Sequence, residues 1–430
     1  MRPPHNPNAA SALLLLTLPL STALPSPNQS PNYPPGRLAP HPQTCPLPGH
    51  LGIIPSLPSL IPWSHAPKCT TATNTTRLDC LFSSSTFRNG HGISIITSTT
   101  TMSNLVSVSA FDDRPAPLAA AKREALGPTY KITPVEGKGL GLIATRKIKR
   151  GEIIMVDYPA VLMSMEYLAS SKAHHRRRLM RKAMEQLPGE TREGIDALQR
   201  GKGGHEVDRI FGVNTYTVGM EGGLYVGLFL GVARINHSCR PNAYYRFHGD
   251  RLTVEIVSHS AIEPGDEILI NYTPTGMPHT DRRRFLHENW DIDCSCSLCR
   301  ANETTISDSE AARKQMDDLR ETMMEARTNK FYKDAITIAN DWMYYCEFEG
   351  LSPLQMELWD ILADLNFLRG DLDNAIRYAR MALDGWVKLG SVDDTQLENA
   401  REMVMKLWKE AEERVEKGVV GGGVRDGKGE

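Results

Sequence analysis

The stretch Asn236-His237-Ser238-Cys239-Arg240-Pro241-Asn242 is followed, after a strand-turn-strand segment, by Glu267-Ile268-Leu269-Ile270-Asn271-Tyr272. Asn236 carries both a donor and an acceptor, so it can hold a charged amino group while satisfying neighbouring backbone. The second segment alternates as a half-buried strand does. It ends on a tyrosine, which combines an apolar body with a hydroxyl that can reach a reacting group. Downstream, Cys294-Ser295-Cys296-Ser297-Leu298-Cys299 brings three thiols together, one short of the four ligands that a structural zinc site takes. Upstream, Gly137-Lys138-Gly139-Leu140-Gly141 is a glycine-rich turn whose backbone can approach a ligand closely and offer it amides.

Short strands are expected around these motifs at Leu140–Thr145, Ile153–Val156, Ala243–Phe247, Leu252–Val257 and Glu267–Asn271. Turns fall at His248-Gly249-Asp250 and Glu263-Pro264-Gly265-Asp266. Between about Tyr167 and Gln199 the pattern becomes helical, as an insertion in a sheet would. No contiguous βαβ alternation appears, which argues against a doubly wound, Rossmann-type fold.

In this order the four motifs resemble the SET-domain family of protein lysine methyltransferases, most closely its SMYD-like branch and related fungal SET proteins. The resemblance implies S-adenosylmethionine as methyl donor, with Lys138, Gly139 and Leu140 of the glycine turn and Asn236 and His237 as cofactor contacts. Asn214-Thr215-Tyr216-Thr217 matches a segment whose Asn touches the cofactor and whose aromatic lines the lysine channel. Those roles pass to Asn214 and Tyr216. Tyr272 matches the active-site tyrosine. The family draws its fourth zinc ligand from the Asn-His-Ser-Cys motif, so the implied structural Zn2+ set is Cys239, Cys294, Cys296 and Cys299.

Two departures stand out. Residues 165–235 contain no cysteine, so the MYND zinc finger of SMYD proteins is absent. Ile292 replaces an aromatic that packs on adenine in the family, while Trp290 takes the place of another channel aromatic.

The rest of the chain is read from composition. A length of 430 residues suits two or three domains, and a net charge of −2 gives no global pull toward nucleic acid or membrane. The basic run His174-His175-Arg176-Arg177-Arg178 reads as a solvated helix face. At the start, Arg2 and His5 precede the apolar run Ala12–Leu20 and Ser21-Thr22-Ala23, the layout of a secretory signal peptide. That run is too short to span a bilayer, and no transmembrane segment is read elsewhere. The scattered Cys45, Cys69 and Cys80 allow one disulfide with one thiol left over. Gly90-His91-Gly92-Ile93-Ser94-Ile95-Ile96 echoes Gly137–Ile143 without gaps, which as a partial duplication would add a sheet beside the core.

From Ser307 to about Lys417 the pattern is helical. Leu358–Leu383, with Arg369-Gly370-Asp371, Ala375 and Ala382, resembles a tetratricopeptide unit, and Lys330–Ile336 looks like a degenerate copy.

The expected fold class is therefore α+β: a mainly-β SET fold with a helical insertion, followed by an all-α tetratricopeptide-like C-terminal domain. The expected division is a signal peptide at 1–23, a Pro/Ser-rich extension at 24–68 and a small β-containing region at 69–126. The SET domain follows at 127–275, then a post-SET zinc segment at 276–300, helices at 305–417 and a disordered tail at 418–430. The expected function is transfer of a methyl group from S-adenosylmethionine to a lysine of a protein substrate, histone or non-histone. A protein partner on the helical domain is also expected, and no sequence-specific nucleic-acid module is seen. The alternative is an inactive SET module serving as a scaffold. The leader points to the secretory pathway and the SET resemblance to cytosol or nucleus. Sequencing the N-terminus of the endogenous protein decides between them: an intact or merely trimmed Met1 terminus removes the signal-peptide reading.

Overall fold

A computed structural model describes residues 62–71, 77–107, 111, 128–220, 223–274, 276–389 and 395–416. The leader, residues 24–61 of the Pro/Ser-rich extension (Cys45 among them) and the Gly-rich tail lie outside the described residues. The described residues all fall within one compact unit.

Strands β1 (Lys68–Thr71), β2 (Leu78–Ser84) and β3 (Ile93–Ser98) open the chain, followed by helix α1 (Thr99–Ser107). Cys69 and Cys80 face each other across β1 and β2 and are joined by a disulfide. Next come β4 (Tyr130–Val135), β5 (Gly139–Ala144), β6 (Ile153–Asp157) and β7 (Pro159–Ser164). A helical insertion follows: α2 (Met165–Ser170), α3 (Ala173–Glu185), α4 (Gly189–Asp196) and α5 (Glu206–Asn214). Then come β8 (Thr215–Met220), β9 (Gly223–Phe229), a 3-10 turn at Val232–Arg234, and β10 (Asn236–His237). Strands β11 (Ala243–His248), β12 (Thr253–Ser258) and β13 (Glu267–Ile270) complete the sheets.

These strands form three sheets, ordered β1-β2-β3-β7-β9-β8, β10-β13-β5-β4 and β11-β12-β6. In the first, the inner strands β2, β3 and β7 are buried on both faces, which explains their nearly continuous apolar character. Ile95 of β3 and Leu162 of β7 face the core shared with Leu142, Phe229, Phe247 and Ile268. Their neighbours Ile96, Val161 and Met163 face the opposite way, against Met180, Leu187, Ile195 and Phe211 of the helical insertion. Each such fully buried aliphatic contributes about 1.5–3 kcal/mol relative to exposure.

The sequence echo receives a split answer here. Gly90 and Gly92 adopt the same left-handed backbone as Gly137 and Gly139. Yet no separate sheet is added: β3 pairs parallel with β7 and so widens the sheet that carries Tyr216.

Beyond the sheets, α6 (His279–Trp290) leads into α7 (Glu303–Thr328), α8 (Tyr332–Glu349), α9 (Ser352–Arg369), α10 (Leu372–Leu389) and α11 (Thr395–Glu416). From α7 on, each helix packs on the next, and buried Ala335, Ala339, Ala363, Ala375 and Ala379 let neighbours approach closely. The helices dock on the sheets through a buried charge network. Glu349, fully buried, accepts from Arg240 (2.7 Å), Arg313 Nε (2.9 Å) and Ser309 (2.9 Å), and Arg313 Nη2 also donates to the Cys239 carbonyl (3.2 Å). Removing one partner from such a network would strand a buried charge, at a cost of about 3–5 kcal/mol. Glu349→Ala is therefore expected to lower thermal stability sharply, which a melting curve checks. No helix among the described residues is long and apolar enough to cross a membrane.

Candidate active site and metal centre

Strand β10 is only two residues long, but it lies parallel to β13, with Asn236 opposite Leu269 and His237 opposite Ile270. This pairing brings the two diagnostic segments side by side. Asn242 locks them further: its Nδ2 donates to the Glu267 carbonyl (2.9 Å) and its Oδ1 accepts from Leu269 N (2.9 Å).

Asn236 also meets the glycine turn. Both hydrogens of its Nδ2 have partners, the Leu140 carbonyl (3.2 Å) and Glu267 Oε1 (2.8 Å). Glu267 Oε2 in turn binds Lys138 Nζ at 2.6 Å. A Cβ on Gly141 would fall 2.8 Å from both Asn236 Nδ2 and Glu267 Oε1, so only glycine permits this approach. Gly137 and Gly139 hold positive φ (70° and 77°) with open space where side chains would be. The turn therefore leaves backbone exposed, and Asn236 keeps its carbonyl oxygen as a free acceptor. A positively charged amino group with a carboxylate nearby, as S-adenosylmethionine carries, suits that donor and acceptor set.

His237 points elsewhere. Its ring is buried, Nδ1 accepts from the Tyr272 backbone N–H (3.0 Å), and Nε2 lies 3.4 Å from Cys239 Sγ. An acceptor Nδ1 places the proton of the neutral ring on Nε2, directed at the sulfur. The side chain thus links a cysteine to the backbone of Tyr272, leaving only its main chain for a cofactor. Asn214 ends α5 with 2% of its surface exposed, and its Nδ2 donates to Gln199 O and Ile210 O, both at 2.7 Å. Only its oxygen is left to meet a ligand.

Tyr216 of β8 and Tyr272, two residues past the end of β13, converge. The Tyr272 hydroxyl donates to the Ile235 carbonyl, and that of Tyr216 to the Val232 carbonyl at 3.1 Å. A third tyrosine, Tyr245 of β11, packs edge-on at 5.4 Å from the Tyr216 ring and donates to Thr217 O (3.2 Å). Sequence reasoning missed Tyr245. Its signal was the Tyr244-Tyr245 pair in a strand, where one ring must face each side. Burial raises all three phenols, Tyr245 to about 12, and Tyr216 is raised further by Tyr272 and Tyr245 beside it. They stay protonated at neutral pH. Trp290 closes the group, 5.3 Å from the Tyr272 ring, with its Nε1 donating to Val213 O (3.2 Å).

The sulfur atoms of Cys239, Cys294, Cys296 and Cys299 all lie within 4.8 Å of one another. Cys239 Sγ is 4.0 Å from Cys294 Sγ and 3.6 Å from Cys299 Sγ. Tetrahedral zinc thiolates at ~2.3 Å from the ion stand about 3.8 Å apart, so the set fits zinc. The thiols perturb one another through mutual hydrogen bonds, Cys294 and Cys296 downward, Cys239 and Cys299 upward. Ile292, where an aromatic was expected, packs against this cysteine cluster.

Comparison with known proteins agrees with this geometry. The SET domain model matches residues 139–273. The chain is 31% identical over 196 residues to the histone-lysine N-methyltransferase set5 of Schizosaccharomyces pombe, covering 44% of this chain and 56% of that protein. It is 25% identical over 224 residues to the histone-lysine N-methyltransferase Smyd1 of Mus musculus, covering 44% and 46%. A SET and MYND domain-containing protein of Dictyostelium discoideum is 43% identical over 74 residues, 17% of this chain and 21% of that one. The chain spans about half the length of these relatives, or less. With its motifs and the family model agreeing, residues 139–273 of this chain form a SET domain, related in sequence to set5 and the SMYD proteins.

Proposed function

We propose that this chain transfers a methyl group from S-adenosylmethionine to a lysine side chain of a protein substrate. The observation that carries the reading is the convergence of three half-buried tyrosines beside the Asn236–glycine-turn cradle. Each hydroxyl lies within hydrogen-bonding reach of a main-chain carbonyl, and those of Tyr216 and Tyr272 also pair with each other, which leaves part of the oxygens' accepting capacity for a ligand. Neutral phenols so held accept weak contacts from a polarised methyl group and orient an amine without carrying charge themselves. Bound S-adenosylmethionine supplies a methyl group activated by its sulfonium.

The attacking lysine must first lose a proton, since its ordinary pKa is about 10.4. A channel walled by Tyr216, Tyr245, Tyr272 and Trp290 favours the uncharged amine by withholding water from the ammonium. Fixed geometry contributes as well, because orientation alone can remove several kcal/mol of barrier. In this reading Asn236 and the exposed backbone of Lys138, Gly139 and Leu140 hold the donor, with Asn214 adding an acceptor. His237 fixes the position of Tyr272 and presents its main chain. Cys239, Cys294, Cys296 and Cys299 hold structural zinc and thereby place Trp290 and Ile292.

The SET relatives carry histone-lysine names, which makes a histone tail the first substrate to try and a non-histone lysine the second. The test is transfer of radiolabelled methyl from S-adenosylmethionine to histones and to a proteome extract, with Tyr272→Phe in parallel. Label incorporated by the wild type alone supports the reading, and no incorporation into any substrate overturns it. Asn236→Ala is expected to weaken cofactor binding by about 1.5–3 kcal/mol, the loss of a hydrogen bond to a charged group. Calorimetry measures it, and wild-type affinity in that variant removes Asn236 from the site. A second reading, a SET scaffold that recruits partners through its helices, draws support from Ile292. It predicts no calorimetric binding of S-adenosylmethionine at all.

A further inference from the structure

The hydroxyls of the two channel tyrosines pair with each other, and each is also anchored outside that pair. Tyr216 depends on the Val232 carbonyl and Tyr272 on the Ile235 carbonyl, and both carbonyls belong to one short segment. That segment is a 3-10 turn closed by Arg234 N to Gly231 O (3.1 Å) and Ile235 N to Val232 O (3.0 Å). A turn of this length has little stability of its own. Something outside it must fix where its carbonyls point.

Asp157, the last residue of β6, is that external contact. Its Oδ2 accepts from Gly231 N at 2.7 Å and Val232 N at 3.0 Å, while Oδ1 accepts from Tyr158 N at 2.8 Å. Val232 therefore donates its N–H to Asp157 and accepts the Tyr216 hydroxyl on its carbonyl, through the two peptide groups that flank it. Gly231 is the only residue type that fits: a Cβ there would lie 2.9 Å from Asp157 Oδ2 and 3.0 Å from the Met155 sulfur. The carboxylate and the missing side chain are complementary shapes. Burial raises the Asp157 carboxyl, opposed by the amides of Val232, Tyr158 and Gly231 and by His91, brought up from the segment between β2 and β3. An acid in the middle of the apolar run Ile153–Met163 is otherwise hard to account for.

We propose that Asp157 is a positioning residue of the methyl-transfer centre, holding the Gly231–Ile235 turn so that its carbonyls fix the hydroxyls of Tyr216 and Tyr272. The proposal rests on the methyltransferase reading for its catalytic consequence, but not for its geometric part. Asp157 touches neither donor nor substrate. It acts through two peptide groups, and charge-assisted bonds from a carboxylate to backbone amides are strong enough for that task.

The test uses the full chain and the conservative variant Asp157→Asn, which keeps the shape but cannot accept from all three amides. Turnover is expected to fall at least tenfold, with affinity for S-adenosylmethionine within twofold of wild type. The same substitution made in a Tyr272→Phe background is expected to cost less than threefold, because one of the hydroxyls it places is already gone. A purely stabilising cap would instead impose the same factor in both backgrounds, and that result overturns the proposal. In protein carrying 13C-labelled tyrosine, the ring resonances of Tyr216 and Tyr272 are expected to move in Asp157→Asn. That of Tyr225, whose hydroxyl pairs with Thr97, is expected to stay. Unmoved Tyr216 and Tyr272 resonances refute the inference whatever the activity. A wild-type protein that methylates nothing refutes the functional reading, while the resonances still judge the geometry. Should Asp157→Asn fail to fold, Gly231→Ala displaces the same carboxylate from the other side and is read by the same measurements.

Discussion

Tyr272→Phe is expected to lower methyl-transfer turnover at least tenfold while leaving affinity for S-adenosylmethionine within about twofold. Tenfold corresponds to about 1.4 kcal/mol of transition-state stabilisation. The substitution keeps the ring, so contacts with His237 at 5.4 Å and Trp290 at 5.3 Å survive. It also keeps the backbone N–H that His237 Nδ1 accepts. What disappears is the hydroxyl, with its bond to the Ile235 carbonyl and its contact with the Tyr216 hydroxyl. A loss confined to turnover marks an oxygen that acts in the transition state rather than in uniform binding. If Tyr272 were merely a core tyrosine, losing that bond would lower stability by about 1 kcal/mol and leave activity nearly intact. Paired measurements of initial rates, cofactor binding and melting temperature separate the two. A folded Tyr272→Phe protein with full turnover removes Tyr272 from catalysis.

Much of the fold was legible because its signals are local. Strands expected at Ile153–Val156, Ala243–Phe247 and Leu252–Val257 are found within one residue of those bounds at each end. Their alternation and turn residues are properties of six or seven consecutive positions. The parallel pairing of β3 with β7 is different. It joins Ser94 to Val161 across a helix and three other strands, and no short window of sequence encodes it. For that reason the early β region was expected to make its own sheet. The apolar run in β7 now explains itself: both faces are buried, so the period of two is lost.

The candidate site divides along the same line. Asn236, the glycine turn, the four cysteines and Tyr272 stand in compact motifs whose chemistry is readable in place. Tyr245, Asp157 and Glu267 act as single residues within strands, where an isolated acid or aromatic has no pattern to announce it. Their partners come from segments 28 to 129 residues away. His237 shows a subtler limit. Its presence beside Asn236 suggested a cofactor contact, but the direction of its ring depends on Tyr272 and Cys239, which only folding brings together.

Cys239→Ser is expected to have the largest effect of all, release of the bound metal. The wild type should copurify with one zinc ion. Structural zinc sites in small domains are worth on the order of 10–16 kcal/mol of apparent binding free energy near neutral pH. Serine is a poor zinc ligand because its hydroxyl stays protonated where a thiolate would not. The consequences should spread unevenly. Residues from Asp291 to Arg300 contain no helix or strand and owe their course to the cysteine cluster, so hydrogen exchange there should rise strongly. The helices from α7 onward keep their own core of Met323, Ala335, Trp342, Leu358 and Leu362, so far-UV circular dichroism should fall little. Tyr272 should feel the loss through His237, whose Nε2 no longer faces a metal-bound thiolate. Cofactor affinity and turnover should therefore drop together, unlike in Tyr272→Phe, where only turnover does. Metal analysis, exchange mass spectrometry and thiol alkylation read out each part. Ready alkylation of Cys239 in folded wild-type protein that still holds a full equivalent of zinc would falsify the four-cysteine assignment, since a metal-bound, buried thiolate cannot also be a free nucleophile.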